Sequence, residues 1–305
     1  MLKMKLNLIL LYIFLSLGVC FGNISRIMKK AYSLIDSGDQ QKLERFGDYL
    51  LVRPCSQAFW KPALSRKEWE AADAFFSRDE GNVWTWRTRR PESWVVEVGG
   101  VQFKLLPTDF GHLGVFPEHS LFWPALKNEV QKRPGATVLN LFAYSGGATL
   151  ALAQAGAKVC HLDASKGMVS WARENAALSG LSGAPIRWIV DDVLKFLKRE
   201  IKRGSRYDGI ILDPPSFGRG NQGEVFKIER DIHDLLKICA EVLTENPLFV
   251  LFTTHTPGMT PKAMEHLMKQ MMPGRRGLVE TGEMILPSQS GMDLPLGSFA
   301  KWRGN

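Results

Sequence analysis

Beyond about Gly111 the chain settles into a regular exchange of two hydrophobic rhythms. Short runs that are apolar almost throughout, "ATVLNLF", "KVCHLD", "IRWIV", "YDGIILD" and "LFVLFTT", read as strands buried on both faces. Around them lie segments whose apolar residues return at helical spacing: "SLFWPALKNEVQK", "GATLALAQAG", "SKGMVSWARENAALSG", "VLKFLKREIKRG", "IERDIHDLLKICAEVL" and "PKAMEHLMKQMM". Gly156 and Gly180 stand where helix-ending glycines belong. Strands alternating with helices predict βαβ units, right-handed crossovers and a parallel sheet covered on both faces. The tail, "LVETGEMILPSQSGMDLPLGSFAKW", holds two more short strand candidates with turns between them, enough for an antiparallel edge.

From Met28 to about Phe110 the pattern is shorter and broken. "DYLLVRP" and "WTWRTRRPESWVVEVGGVQFKLLP" set Trp, Val, Phe and Leu in brief runs punctuated by Gly, Pro and Asp, which is a strand-and-turn signature. "SRKEWEAADAFFSRD" reads as one helix capped by Ser65, with Glu68 three residues on. The expected fold class is therefore α/β: a doubly wound, mostly parallel Rossmann-like sheet over 111–305, with a small α+β domain over 28–110. Residues 1–27 carry Lys3, Lys5 and Arg26, no acid, and an apolar run from Leu6 to Gly22. That is the layout of a signal peptide or short anchor. The competing reading is an upstream start codon, with the working protein beginning at Met28, and the cytoplasmic chemistry inferred below favours it.

Composition adds little and excludes something. The 45% hydrophobic and 23% charged residues are ordinary for a globular protein. A net charge of +8 suits a polyanionic partner such as RNA. Cys20, Cys55, Cys160 and Cys239 are far apart and form no CxxC pair, so neither a zinc site nor a disulfide framework is expected, and no metal site is visible.

In a sheet of this kind ligands bind beyond the C-terminal strand ends. After the first strand, "NLFAYSGGATL" places Asn140, Phe142, Ala143, Ser145 and Gly146 at a glycine turn into a helix, where free N–H groups favour a carboxylate. The absence of GxGxxG weakens a dinucleotide reading. After the second strand, Asp163 and Ala164 offer a carboxylate for a ribose diol, or a plain helix cap. After the third, Asp191 or Asp192 could accept from an adenine amine, Asp192 being preferred, or could only cap. The fourth ends in "DPPSF". Asp213 and the carbonyls after it can take both hydrogens of a nucleobase amine, Pro214 and Pro215 stiffen the turn, and Phe217 can stack on the base. His255 ends the fifth strand, free to take a proton or a phosphate or to serve structure alone.

Taken together, "VLNLFAYSGGATLALAQAGAKVCHLDAS", "IRWIVDDVLKFL", "YDGIILDPPSF" and "GVFPEH" resemble the class I S-adenosylmethionine-dependent methyltransferases. More narrowly they are similar to bacterial enzymes that modify bases of large-subunit ribosomal RNA. The resemblance spans about Asp36 to Trp302. It implies that Asn140, Ser145 and Gly146 hold the methionine end of the cofactor, Asp163 the ribose and Asp192 the adenine. Asp213 and Phe217 would grip the target base, and "GVFPEH" would close over the cofactor with Phe116 and Glu118 pointing in. The N-terminal domain, Arg219 and Lys227 would hold RNA. Relatives that methylate carbon five of cytosine use a cysteine after the fourth or fifth strand; "DPPSF" and "TTHTPG" have none, and Cys160 and Cys239 read as core. The expectation is methyl transfer from S-adenosylmethionine to a base of ribosomal RNA, nitrogen preferred, in the cytoplasm and without metal. Carbon-five transfer, a small-molecule or protein substrate, and an idle RNA-binding assembly factor remain the alternatives.

Overall fold

The computed structural model describes residues 31–219 and 223–304. The apolar 1–27 segment lies outside the described residues. No helix among those described is long and apolar enough to cross a membrane.

The N-terminal part opens with β1 (Tyr32–Gly38), β2 (Gln41–Phe46) and β3 (Tyr49–Pro54), then a short helix α1 (Arg66–Glu70), β4 (Ala74–Ser77) and β5 (Val83–Trp86). These five strands form one sheet in chain order. The helix expected over "SRKEWEAADAFFSRD" is thus only its first third. Ser65 and Glu68 do cap it: the Glu68 carboxylate accepts from the Ser65 N–H and Oγ, both at 2.8 Å. The chain then leaves the helix because the Asp73 carboxylate accepts the Leu50 N–H at 2.7 Å, and Ala74–Ser77 pairs with β3 on one side and β5 on the other. The burial of Ala72, Ala74 and Phe76 alternates with the half-exposed Asp73 and Phe75, a strand period.

A hairpin follows, β6 (Trp94–Val98) and β7 (Val101–Leu105). A 3-10 turn (Pro117–Leu121) leads into α2 (Trp123–Gln131). Then come β8 (Thr137–Leu141), α3 (Gly147–Gln154), β9 (Lys158–Asp163), α4 (Lys166–Leu178), β10 (Ile186–Val190), α5 (Val193–Lys202) and β11 (Gly209–Leu212). A small ribbon, β12 (Phe217–Arg219) and β13 (Val225–Lys227), precedes α6 (Ile228–Glu241), β14 (Phe249–Thr254), α7 (Pro261–Met271), β15 (Gly277–Leu286) and β16 (Leu294–Gly304). The large sheet runs β10-β9-β8-β11-β14-β16-β15. The five predicted runs pair in parallel, and β16 is antiparallel to both its neighbours. The predicted edge is present, with the last strand inserted between β14 and β15.

One sheet face packs on Phe196 of α5, Leu235 of α6 and Met264 of α7. The other packs on Leu126 of α2 and Leu152 of α3, so helices cover both sides. The β6–β7 hairpin joins the two halves of the chain, since Val96, Phe103 and Leu105 share one apolar cluster with Phe46, Leu51 and Phe76 of the small sheet and with Trp123 and Leu150. A second seam forms where Leu34, Cys55 and Ala58 meet Leu286, Leu294 and Leu296. There the buried Asp36 carboxylate accepts from the Leu64 N–H at 2.8 Å, Trp69 Nε1 at 3.0 Å and Ser290 Oγ at 2.7 Å. We retain the division into 28–110 and 111–305 as a proposal about chain organisation, with a core common to both.

Gly114 sits just before the 3-10 turn with φ +103°, and a Cβ there would lie 2.2 Å from Trp171 Cζ2. The indole cannot swing aside freely, because its Nε1 donates to the Lys104 carbonyl at 2.8 Å. Gly114→Ala should therefore cost about 2–4 kcal/mol from overpacking and backbone strain combined. A lowered denaturant midpoint checks this; a wild-type midpoint would show that the loop relaxes.

Candidate active site

The C-terminal ends of β8, β9, β10, β11 and β14 open on one cavity of about 630 Å³. Its walls are chemically unlike. The strand ends contribute Asp163, Asp192 and Asp213, and the 3-10 turn adds Glu118. The small N-terminal sheet faces them with Lys42 and Arg53, and the loop after β4 adds Arg78. Arg53 is fixed by Glu44, with Nε to Oε2 at 2.7 Å and Nη2 to Oε1 at 2.9 Å, and it also donates to the Gly111 carbonyl at 3.1 Å. Lys42 Nζ lies 3.2 Å from the same carboxylate. Glu44 is fully buried, so the N-terminal sheet closes the cavity with a pre-set cationic wall.

The turn after β8 is held in an unusual conformation. Phe142 and Tyr144 have φ of +56° and +50°, and Gly146 has +94°. Non-glycine residues in this region cost about 1–3 kcal/mol each and persist only where neighbours over-determine them. Those neighbours are identifiable. The Asp163 carboxylate accepts the Tyr144 N–H at 2.9 Å and the Ser165 N–H at 2.8 Å. The Ala143 N–H donates to the Leu162 carbonyl at 3.0 Å. Ser145 Oγ donates to the Gly114 carbonyl, and Asn175 Nδ2 donates to the Ser145 carbonyl at 3.0 Å. Gly146 is the N-cap of α3, and a Cβ there would meet Ala172 Cβ at 3.1 Å. Burial pushes the Asp163 carboxyl up despite its two backbone donors.

Of the residues singled out in the sequence, Phe116, Glu118, Phe142, Asp163, Ala164, Asp192, Asp213, Pro214, Pro215, Arg219 and His255 line this cavity. Asp192 does so while capping α5, its Oδ1 accepting the Lys195 N–H at 2.9 Å. The others are elsewhere. Ala143, Ser145 and Gly146 are buried beneath the turn and shape it. The Asn140 side chain is spent inside the fold, its Nδ2 donating to Thr149 Oγ1 at 2.9 Å, which lies 3.0 Å from His161 Nδ1. Asp191 is turned away to pair with Arg199 and accepts the Asp192 N–H at 2.9 Å. Phe217 is half exposed. It is not in the cavity lining, and the Arg219 guanidinium lies 5.7 Å from its ring centroid, whereas Gly218 and its strand partner Phe226 do line the cavity. Arg219 reaches the cavity, but Lys227 does not; its N–H donates to Asp231 Oδ2 at 2.8 Å at the start of α6.

At the end of β11, Asp213 Oδ1 accepts from Thr253 Oγ1 at 2.8 Å, and Oδ2 faces His119 Nε2 at 3.4 Å. His255 stands beside it, Nδ1 3.9 Å from Asp213 Oδ1 and Nε2 2.9 Å from Glu118 Oε1. Burial pushes the Glu118 carboxyl up, but the His255 bond and the Lys42 charge outweigh it and hold the group at about 2. Its second oxygen is buried with no hydrogen-bond partner among the described residues. Ser216 Oγ and Thr256 Oγ1, 2.7 Å apart, tie the loops after β11 and β14 together.

The sequence reading overlooked His119, Tyr144, Lys42, Arg53 and Cys55, all of them at this site or in its wall. His119 and Tyr144 lie inside quoted motifs, but nothing in their spacing distinguished them from structural neighbours. Cys55 bears on the carbon-five alternative. It is buried at the cavity wall, its Sγ donates to Gln57 Oε1 at 3.6 Å, and burial pushes its thiol up. Cys160 and Cys239 are core, as expected, with Cys160 pushed up to about 11 by burial.

A sheet in this order, with its glycine turn, an acid after β9 and an acid–proline pair after β11, defines a Rossmann-like methyltransferase. The chain belongs to the S-adenosylmethionine-dependent methyltransferases: residues 75–271 match that family's model. A SAM-dependent methyltransferase from Agrobacterium tumefaciens of known structure is 41% identical and superposes with a TM-score of 0.87, over 90% of each chain. "Ribosomal RNA large subunit methyltransferase K/L" from Shewanella sp. (strain MR-4) is 35% identical over 150 residues, 48% of this chain and 21% of that protein. The protein of the same name from Syntrophotalea carbinolica is 34% identical over 164 residues, 53% of this chain and 22% of its own length. The chain thus spans about a fifth of the length of these curated relatives.

The residues present fit the cofactor. A carboxylate oriented by two backbone N–H groups stands at the second strand end, the backbone of a left-handed glycine turn lies beside it, and Asp192 is one strand further on. When bound, S-adenosylmethionine supplies a methyl group already activated by its sulfonium.

Proposed function

We propose that this enzyme transfers the methyl group of S-adenosylmethionine to a base of ribosomal RNA in the cytoplasm, at a nitrogen rather than a carbon. The observation that carries the reading is the Asp213 carboxylate at the cavity wall, fixed by Thr253 and set between two histidines. It is an acceptor aimed where a flat heterocycle can enter. The cationic wall of Lys42, Arg53 and Arg78 favours a polyanion on the other side, and two relatives are named as ribosomal RNA methyltransferases. The cofactor roles of Asp163, Asp192, Phe116, Phe142, Ala164 and Glu118 belong to this proposal. So do the shaping roles of Asn140, Ala143, Ser145 and Gly146. For Phe217 and Asp191 we propose no contact with substrate or cofactor; Phe116, Phe142, Tyr144 and Phe226 are among the rings at the cavity.

Nitrogen is preferred because attack on the sulfonium methyl needs only an aligned lone pair. Carbon five of cytosine needs a thiolate, and Cys55, the cysteine at the cavity, is held as a thiol. No metal enters the proposal. One donor atom each of His119, Asp213 and His255 falls within 4.8 Å of the others, and we assign Asp213 and His255 to the acceptor base rather than to an ion.

Methyl-labelled S-adenosylmethionine incubated with the protein and ribosomal RNA from cells lacking it should label material that RNase destroys. RNase-resistant label would move the substrate to a protein or small molecule. A covalent adduct with RNA containing 5-fluorocytosine would replace nitrogen by carbon five and make Cys55 the nucleophile to test.

A further inference from the structure

We propose that His255 is a catalytic residue of the transfer, its Nδ1 taking a proton from the acceptor nitrogen, with Glu118 as the positioning residue that holds the imidazole. The inference rests on the RNA-base reading and deepens it, because it requires an acceptor nitrogen that carries hydrogen.

The geometry is that of a histidine oriented by a buried carboxylate. The Glu118 side chain is 3% exposed and its Oε1 lies 2.9 Å from His255 Nε2. An ionised carboxylate only accepts, so Nε2 carries the hydrogen and the lone pair of the neutral ring sits on Nδ1. Phe116 and His119 pack against the ring, with centroids 5.6 and 5.5 Å away. The free Nδ1 faces Asp213 Oδ1 at 3.9 Å, too far for a hydrogen bond between them. Two acceptors are therefore presented side by side at the cavity and do not satisfy each other. An exocyclic amine has two hydrogens, one for Asp213 and one for His255, and its lone pair is left free to meet the methyl group.

The step balances. The nitrogen lone pair forms the new N–C bond while the C–S bond breaks, its electron pair staying on sulfur to give the thioether. The nitrogen becomes cationic, its N–H bond breaks with the electron pair retained on nitrogen, and the proton passes to Nδ1. The positive charge of the sulfonium ends on the imidazolium. The His255 side chain is one-third exposed, which opens a route for that proton to water.

The groups facing His255 are Glu118 and His119 from the 3-10 turn, Asp213 after β11, Lys42 of β2 and His112 from the loop between β7 and the turn. Burial pushes the imidazole's pKa down, but the Glu118 bond and the Asp213 charge outweigh it, and the net direction is up. The neutral ring therefore appears only as pH rises through this raised value, and activity should climb along that limb. Removing the Glu118 charge removes the largest raising influence and brings the limb to lower pH.

Single-turnover transfer to ribosomal RNA from cells lacking the protein, followed across pH with the full chain, tests this. S-adenosylhomocysteine affinity serves as the folding control, and the labelled nucleoside is identified. His255→Gln should slow transfer about 100-fold with cofactor affinity unchanged. Glu118→Gln should move the limb down by about one pH unit, whatever it does to the plateau rate. A wild-type rate in His255→Gln, an unmoved limb in Glu118→Gln, or label on a ring nitrogen that carries no hydrogen overturns the role of His255 and leaves the RNA reading standing. Absence of RNA label with the wild-type protein overturns both.

Discussion

Asp213→Ala should lower the rate of methyl transfer to RNA by about 10²–10³-fold while S-adenosylhomocysteine still binds. The carboxylate stands just past the end of β11, in the loop that carries both prolines. Thr253 Oγ1 fixes one oxygen at 2.8 Å, and the other faces His119 at 3.4 Å. Truncation leaves the cofactor turn, three strands earlier in sequence, intact. It removes the acceptor that would set the amine's plane, and in-line attack depends on that plane. Asp213→Asn keeps an oxygen acceptor and should lose less. Calorimetry with S-adenosylhomocysteine beside single-turnover kinetics separates the two sites. Equal losses in binding and rate would mean that Asp213 serves the cofactor rather than the acceptor.

Asp163→Ala should have the opposite signature. S-adenosylhomocysteine affinity should fall about 100-fold, which is about 2.7 kcal/mol. The change removes the proposed ribose acceptor. It also strips the partner from the Tyr144 and Ser165 N–H groups, and Tyr144 is held at φ +50°. With that restraint gone the turn should relax toward ordinary backbone angles, and the cost to binding exceeds one hydrogen bond. Asp163→Asn keeps one acceptor and should fall between. Unchanged affinity in Asp163→Ala would contradict the placement of the cofactor.

Why one half of the molecule was legible in the sequence and the other was not follows from burial. Strands β8, β9, β11 and β14 lie between two helical layers, so both faces are largely apolar, and each reads as a nearly continuous apolar run that no amphipathic helix would produce. Asp163, Asp192 and Asp213 were legible for the same reason, since a carboxylate ending an apolar run at a strand mouth has few places to go. The small sheet offers no such contrast. Trp69, Ala72, Ala74 and Phe76 fit helical spacing and strand alternation almost equally, and the Asp73 bond to Leu50 decides between them. The internal partner of Asn140 was not legible, because Thr149, which accepts from its amide and in turn meets His161, lies on the helix that follows. The Glu118–His255 pair was beyond reach, because its partners are 137 residues apart and meet only once the 3-10 turn comes up to the residue that follows β14. The cationic wall of Lys42 and Arg53 was invisible for the same cause, belonging to a different sheet from the carboxylates it faces.

The measurement that tests the central claim most directly is the identity of the methylated nucleoside. Ribosomal RNA from cells lacking the protein is incubated with the enzyme and methyl-labelled S-adenosylmethionine, digested to nucleosides and resolved by mass spectrometry. The account predicts a single labelled nucleoside, methylated on a base nitrogen that carried hydrogen, and its loss in Asp213→Ala. Labelled 5-methylcytidine, or label found outside RNA, would contradict it.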